Sequence, residues 1–124
     1  MRINKLLDSI GSDVDTVSPD ETVYDALALM AKKEIGALVV VKKKKMVGII
    51  SERDYARKVI LKGKSSKKTR VREIMTSDVI HVSPEQKVGK CLSLMTKKRI
   101  RHRPVLEKDR LVGILSIEDV KGVT

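Results

Sequence analysis

The sequence predicts an α+β fold built from two tandem copies of one β-α-β-β-α unit. Three observations carry this reading. Shifting the chain by 65 positions aligns Val17–Asp54 with Val82–Asp119 without a gap, and 17 of the 38 aligned positions are identical. Within each copy the apolar residues first recur at helical spacing and then form a short continuous run, as when a helix is followed by buried strands. Polar stretches, Lys42–Lys45 and Glu107–Arg110, then split each run in two, which is the pattern of a hairpin. A repeat of this length is one supersecondary unit, duplicated.

Each unit is expected to open on a short strand, near Val14–Val17 and Val79–Val82. Pro19 and Pro84 suit an extended segment just ahead of a helix. Val23, Ala26, Leu27 and Met30 fall at i, i+3, i+4, i+7, which predicts a helix from about Thr22 to Glu34. Val88, Cys91, Leu92 and Met95 repeat the stripe. The hairpins follow, Ala37–Val41 with Met46–Ile50 and Pro104–Leu106 with Leu111–Leu115. A second helix begins after Ser51, with Ala56, Val59 and Ile60 as its apolar positions; its counterpart after Ser116 is short. Gly63, Ser65 and Ser66 amid basic residues read as a solvated linker, and Val71 to Met75 as a short apolar helical turn. The boundaries drawn on this basis are 1–62 for the first repeat, 63–72 for a basic linker and 73–124 for the second repeat. Ser-Asp-Val also recurs, at 12–14 and 77–79.

Composition narrows the function classes. A single cysteine, Cys91, excludes a disulfide within one chain and any multi-cysteine zinc site, and fits a reducing compartment. The first residues lack the apolar core of a signal peptide, and no apolar run approaches the roughly 18 residues that span a membrane. The expectation is a soluble, cytoplasmic chain. A formal net charge of +11 invites a phosphate-rich partner. The basic stretch Lys62–Arg72 could hold nucleic-acid phosphates non-specifically, with binding that weakens steeply in salt. Against a dedicated reader, the chain has no Phe or Trp on which bases could stack, and no helix-turn-helix or zinc pattern. No GxSxG, HExxH or P-loop is present, so no catalytic or metal-ligating residue is nominated and an enzyme is not expected.

Two motifs carry chemistry. Ser51 with Asp54, and Ser116 with Asp119, form S-x-x-D at the start of a helix. A capping box explains this pattern by itself: the hydroxyl takes the third amide, and the carboxylate sits at the positive helix end. A carboxylate so placed can also accept both vicinal hydroxyls of a ribose, and its lone pairs suffice for both tasks. The second motif is Ile100, Arg101, His102, Arg103, Pro104 and Val105, standing where the first copy has Ile35, Gly36, Ala37, Leu38, Val39 and Val40. It is either a solvated strand start or a phosphate-binding cluster, since arginine offers a planar fork for phosphate oxygens. His81, level with Thr16, either edges a binding cleft or is a plain exposed strand residue. Cys91 aligns with Ala26 on the core stripe and reads as a small buried residue.

The VSP segments, the LxLM helices, IRHRPV, and GIISERD with its partner GILSIED together resemble the cystathionine-β-synthase (CBS) domain pair, also called the Bateman module. The resemblance covers nearly the whole chain. It implies two repeats packed about a pseudo-two-fold axis, with a ligand cleft on each side. It implies a regulatory adenine nucleotide (AMP, ADP or ATP) as the ligand, with no further cofactor required. By the same resemblance Asp54 and Asp119 take the ribose, Ser51 and Ser116 lie beside the sugar or phosphate, and Ile100, Arg101, His102 and Arg103 line the phosphate end. Each cleft would pair the Asp of one repeat with strand starts of the other: Asp54 with Ile80, His81, Arg101 and His102; Asp119 with Asp15, Thr16, Gly36 and Ala37. The Asp54 cleft should then fill first and prefer the more phosphorylated ligand. A homodimer and a separate regulated protein are further implications.

Overall fold

The computed structural model describes residues 1–124 apart from Ser12 and Thr124, so the Ser12 half of the repeated Ser-Asp-Val lies outside the described residues. In chain order the elements are α1 (Ile3–Ile10), β1 (Thr16–Val17), α2 (Val23–Lys33), β2 (Ala37–Lys42), β3 (Lys45–Ser51), α3 (Glu52–Tyr55, continued by a π turn at Ala56–Ile60), α4 (Val71–Ile74), α5 (Val88–Lys98), β4 (His102–Glu107), β5 (Arg110–Ser116) and α6 (Ile117–Lys121). Two compact units result, one of residues 15–79 and the other of residues 1–14 with 80–124.

In the unit of residues 15–79, β1 runs parallel to β2, and β2 pairs antiparallel with β3. Ala37 to Val40 are buried at every position, which is why β2 reads as a continuous apolar run and not an alternation. The hairpin turns through Lys43 and Lys44, whose φ angles of 52° and 65° put both in the left-handed region that a two-residue turn of type I′ requires. The four-lysine tip therefore contributes only two residues to the turn. Helix α2 starts on Thr22, whose side chain accepts the Asp25 amide, and ends with Glu34 in the left-handed conformation. Its stripe of Val23, Ala26 and Met30 packs with Leu38, Val40, Ile50 and Val59. Of the apolar positions expected along α3, Val59 is buried but Ala56 and Ile60 face solvent. The π turn explains this: the Leu61 amide donates back to the Ala56 carbonyl at 3.1 Å, and the extra residue per turn rotates Ile60 away from the core.

The other unit repeats the plan with weaker edges. Strands β4 and β5 form a hairpin through Lys108 and Asp109, again with positive φ at both. The expected opening strand shrinks to a single parallel bridge, Val82 to Val105. Cys91 and Met95 of α5 pack with Val105, Leu115 and Val120.

The units differ from the boundaries drawn at 62 and 73. Residues 1–14, expected with the first repeat, belong to the unit of the second, because α1 buries Ile3, Leu6 and Leu7 among Val82, Val88 and Met95. The segment expected as a solvated linker is also partly structural. Thr69 is buried, and its carbonyl accepts the Val23 amide at 2.8 Å while Ser66 accepts Tyr24 at 3.0 Å. These two carbonyls satisfy first-turn donors of α2 that have no partner inside the helix. Met1 does the same for Val88 of α5, at 3.0 Å. Short helices that precede each repeat in the chain thus complete the cores: α1 in one unit, and Val71 and Ile74 of α4 in the other.

Candidate functional site

The S-x-x-D sequences form as capping boxes at the point where each hairpin hands over to a helix. The Asp54 amide donates to Ser51 Oγ at 3.2 Å, and Asp54 Oδ2 accepts from the Ser51 amide at 3.0 Å and its hydroxyl at 3.1 Å. In the second repeat the Asp119 amide donates to Ser116 Oγ at 3.1 Å, and Asp119 Oδ2 accepts from the Ser116 amide at 3.0 Å. Each cap engages Oδ2 and leaves Oδ1 for another partner. In the first repeat that partner is Lys58, one helical turn on, with Nζ 3.2 Å from Asp54 Oδ1 and 2.9 Å from the Ile74 carbonyl that it also serves. Position 123, the counterpart of Lys58, is Val, and among the described residues no cation stands at ion-pair distance from Asp119.

The strand starts are stitched to these helix starts within each unit. Ala37 lies opposite Ser51, and Gly36 accepts the Glu52 amide at 3.0 Å. His102 lies opposite Ser116, and Arg101 accepts the Ile117 amide at 2.8 Å. Gly36, Ala37, Ser51 and Asp54 are therefore neighbours in one unit, and Arg101, His102, Ser116 and Asp119 in the other. Arg101 is exposed and its Nη2 lies 3.0 Å from Glu118 Oε1, a surface pair that a stronger anion could displace. Asp15 pairs loosely with Lys33 at 3.8 Å, and Thr16 is exposed on β1 beside Val39. Ile80 and Ile100 are half-buried and His81 is exposed.

Arg103 is not part of a solvated strand start. It does not join Arg101 at the surface: it is 3% exposed and donates from Nη2 to the His81 carbonyl at 3.0 Å and from Nε to Ile80 at 3.5 Å. Its Nη1 lies 3.7 Å from Cys91 Sγ. The physical reason was available in the alignment, since Arg103 stands level with Leu38, a fully buried core residue. Burial pushes the Cys91 thiol above its usual range, and the adjacent Arg103 charge opposes that only in part. Sequence reasoning missed Lys58 and Glu118 as partners of the nominated Asp54 and Arg101. The i, i+4 spacing of Asp54 and Lys58 was the signal for the first.

A duplicated α+β unit whose hairpin delivers a Ser–Asp box to a helix start defines the class of this chain. The profile of the CBS domain matches it twice, at residues 8–61 and 71–123. The chain belongs to the CBS domain family, as a tandem pair. A protein with CBS domains from Burkholderia ambifaria superposes with a TM-score of 0.95 at 46% identity, covering 99% of this chain and 93% of that one. The mitochondrial CBS domain-containing protein CBSX3 of Arabidopsis thaliana is 50% identical over 106 residues, 82% of this chain but only 52% of that protein. This chain thus spans about half the length of that relative. The CBS domain pair of protein MJ0100, solved in complex with 5-methylthioadenosine and S-adenosyl-L-methionine, superposes with a TM-score of 0.88 at 27% identity, covering 99% and 94% of the two chains. Among the described residues no helix is long and apolar enough to cross a membrane.

Proposed function

We propose that this CBS pair is a regulatory module that binds an adenosine-containing nucleotide of the AMP, ADP or ATP type and passes its occupancy to a separate protein. The observation that carries this reading is the pair of half-used carboxylates. Asp54 and Asp119 each commit Oδ2 to a cap, which leaves Oδ1, paired with Lys58 in Asp54, outside the cap as an acceptor for a ribose hydroxyl. Both ligands of the MJ0100 pair contain an adenosine moiety, which supports the same class here. Ser51 and Ser116 would flank the sugar. Arg101 and His102 would meet phosphate at the Asp54 site together with Ile80 and His81, while Asp15, Thr16, Gly36 and Ala37 would serve the Asp119 site. Ile100, half-buried in the same segment, would line the phosphate end, and the buried Arg103 is given no direct contact to the nucleotide. A homodimer in the cytoplasm completes the proposal; the lone buried thiol suits a reducing compartment.

A thermal-shift panel of AMP, ADP, ATP, NAD, GTP and S-adenosylmethionine tests it. A ligand bound only by the folded chain raises the melting temperature by mass action, so at least one adenosine ligand should stabilise in the millimolar range or below. No shift with any of the six would defeat the nucleotide reading and favour a protein-interaction module. A strong, salt-sensitive gel shift with mixed-sequence nucleic acid would instead assign the positive charge to that partner.

A further inference from the structure

A cavity of about 340 Å³ opens beside α5, within the range of small-molecule sites. The buried Cys91 and half-buried Leu94 form its apolar part, and Lys90, Ser93 and Lys97 its exposed part. Arg103 lines it as well. The lining therefore holds three cations and no carboxylate.

The other repeat makes this arrangement informative. At the positions of Arg103, Lys90, Gln86 and Ser93 the first copy has Leu38, Asp25, Glu21 and Ala28. Two carboxylates have become a lysine and a neutral amide, and two apolar side chains have become a guanidinium and a hydroxyl. Lys97 and Leu94 keep the residues of positions 32 and 29, and these four differences all run toward positive charge and hydrogen-bond donation. Arg103 is the decisive member. It is 3% exposed, and among the described residues no carboxylate lies at ion-pair distance from it; only the carbonyls of Ile80 and His81 and the Cys91 sulfur contact it. A buried cation without a counter-ion is unfavourable, because dipoles replace its hydration only in part. Its Nε, Nη1 and Nη2 each make one of these contacts, so an anion would use the remaining N–H donors of the five on the fork.

We propose that this cavity is a second site, separate from the nucleotide sites, for a small organic anion. A carboxylate or phosphate group would sit against Arg103, Lys90 and Lys97, and an apolar body against Cys91 and Leu94. Phenyl phosphate, inorganic phosphate and neutral benzyl alcohol are suitable probes, titrated into the full chain with amide shifts followed residue by residue. Phenyl phosphate should give saturable shifts at Lys90, Ser93 and Lys97 and bind about tenfold more tightly than benzyl alcohol, the effect of one charge-assisted contact. Inorganic phosphate should shift the same residues more weakly. Arg103→Leu, which restores the residue of the first repeat, should weaken phenyl phosphate about tenfold or more. Should that variant not fold, Lys90→Asp combined with Lys97→Gln, both at exposed positions, should produce the same loss. Unchanged affinity in the folded variants would overturn the proposal, as would equal binding of benzyl alcohol, shifts confined to the surroundings of Asp54 and Asp119, or no saturation.

Discussion

In the first repeat the Asp54 carboxylate is shared between its cap and Lys58, and the surrounding strand start is Gly36 and Ala37, without charge. In the second repeat Asp119 has its cap but no ion-pair partner among the described residues, and the equivalent strand start is Arg101 and His102. The backbone devices are the same in both: a serine accepts the aspartate amide, and a strand-start carbonyl accepts the first helical amide. Duplication has therefore preserved what folds the hairpin-to-helix corner and varied what surrounds it electrostatically. Capping geometry is needed for each unit to form, whereas the charge around it is free to vary.

The largest effect expected concerns how the cores are completed. Leu6→Ala and Ile74→Ala should each lower stability by about 3 kcal/mol, since each empties a fully enclosed aliphatic site. Chemical denaturation measures this, and a loss below about 0.5 kcal/mol for Leu6→Ala would mark α1 as an appendage. Next come the glycines of β3 and β5. A Cβ on Gly48 would meet the Thr76 carbonyl oxygen at 2.8 Å, whereas one on Gly113 would meet a Leu7 methyl at 2.7 Å. Backbone cannot retreat as a side-chain tip can, so Gly48→Ala should cost about 2 kcal/mol and Gly113→Ala less than about 1. Equal costs would show that the two corners are packed with the same stiffness.

Much of this comparison was legible beforehand. The helical stripes, the hairpins and both Ser–Asp boxes follow from spacing alone, with edges displaced by a residue or two because turn tips such as Lys43–Lys44 are shorter than their charge runs. What escaped notice depended on partners distant in the chain. Ile3, Leu6, Leu7 and Ile10 have helical spacing, but nothing local says that the helix completes the core of residues 80–124. Thr69 looks like any linker threonine until its carbonyl is found capping α2. The burial of Arg103 follows from its alignment with Leu38, a signal that its charge obscures.

Smaller effects sharpen the comparison. Lys58→Val, which installs the residue of the second repeat, should cost no more than about 1 kcal/mol, because the lysine end of the pair is half exposed to water. It should also raise ribose-dependent affinity at Asp54, read by comparing AMP with its 2′-deoxy form; unchanged discrimination would mean that Lys58 does not compete with the sugar. The smallest effect is at Cys91. Its folded pKa is raised, so the folded chain keeps the thiol proton at a pH where the unfolded chain, with an ordinary value near about 8.5, has lost it. The resulting stability is complete below that pH and fades as pH rises from there toward the folded value. Cys91→Ala, which installs the residue at position 26, should flatten the alkaline limb of the stability curve. An equally steep limb in the variant would assign it to other groups.

Calorimetric titration of AMP and ATP into wild type, Asp54→Asn, Asp119→Asn and Arg101→Ala tests whether the two repeated caps are two unequal nucleotide sites. Wild type should show two unequal events, with the tighter, ATP-preferring one lost in Asp54→Asn and weakened about tenfold in Arg101→Ala. Asp119→Asn should remove only the weaker event, and both Asn variants should stay within about 1 kcal/mol of wild-type stability, since Asn still caps. Wild-type affinity in both Asn variants would reduce the Ser–Asp boxes to caps. Loss confined to the Asp119 site in Arg101→Ala would show that this arginine serves the aspartate of its own repeat.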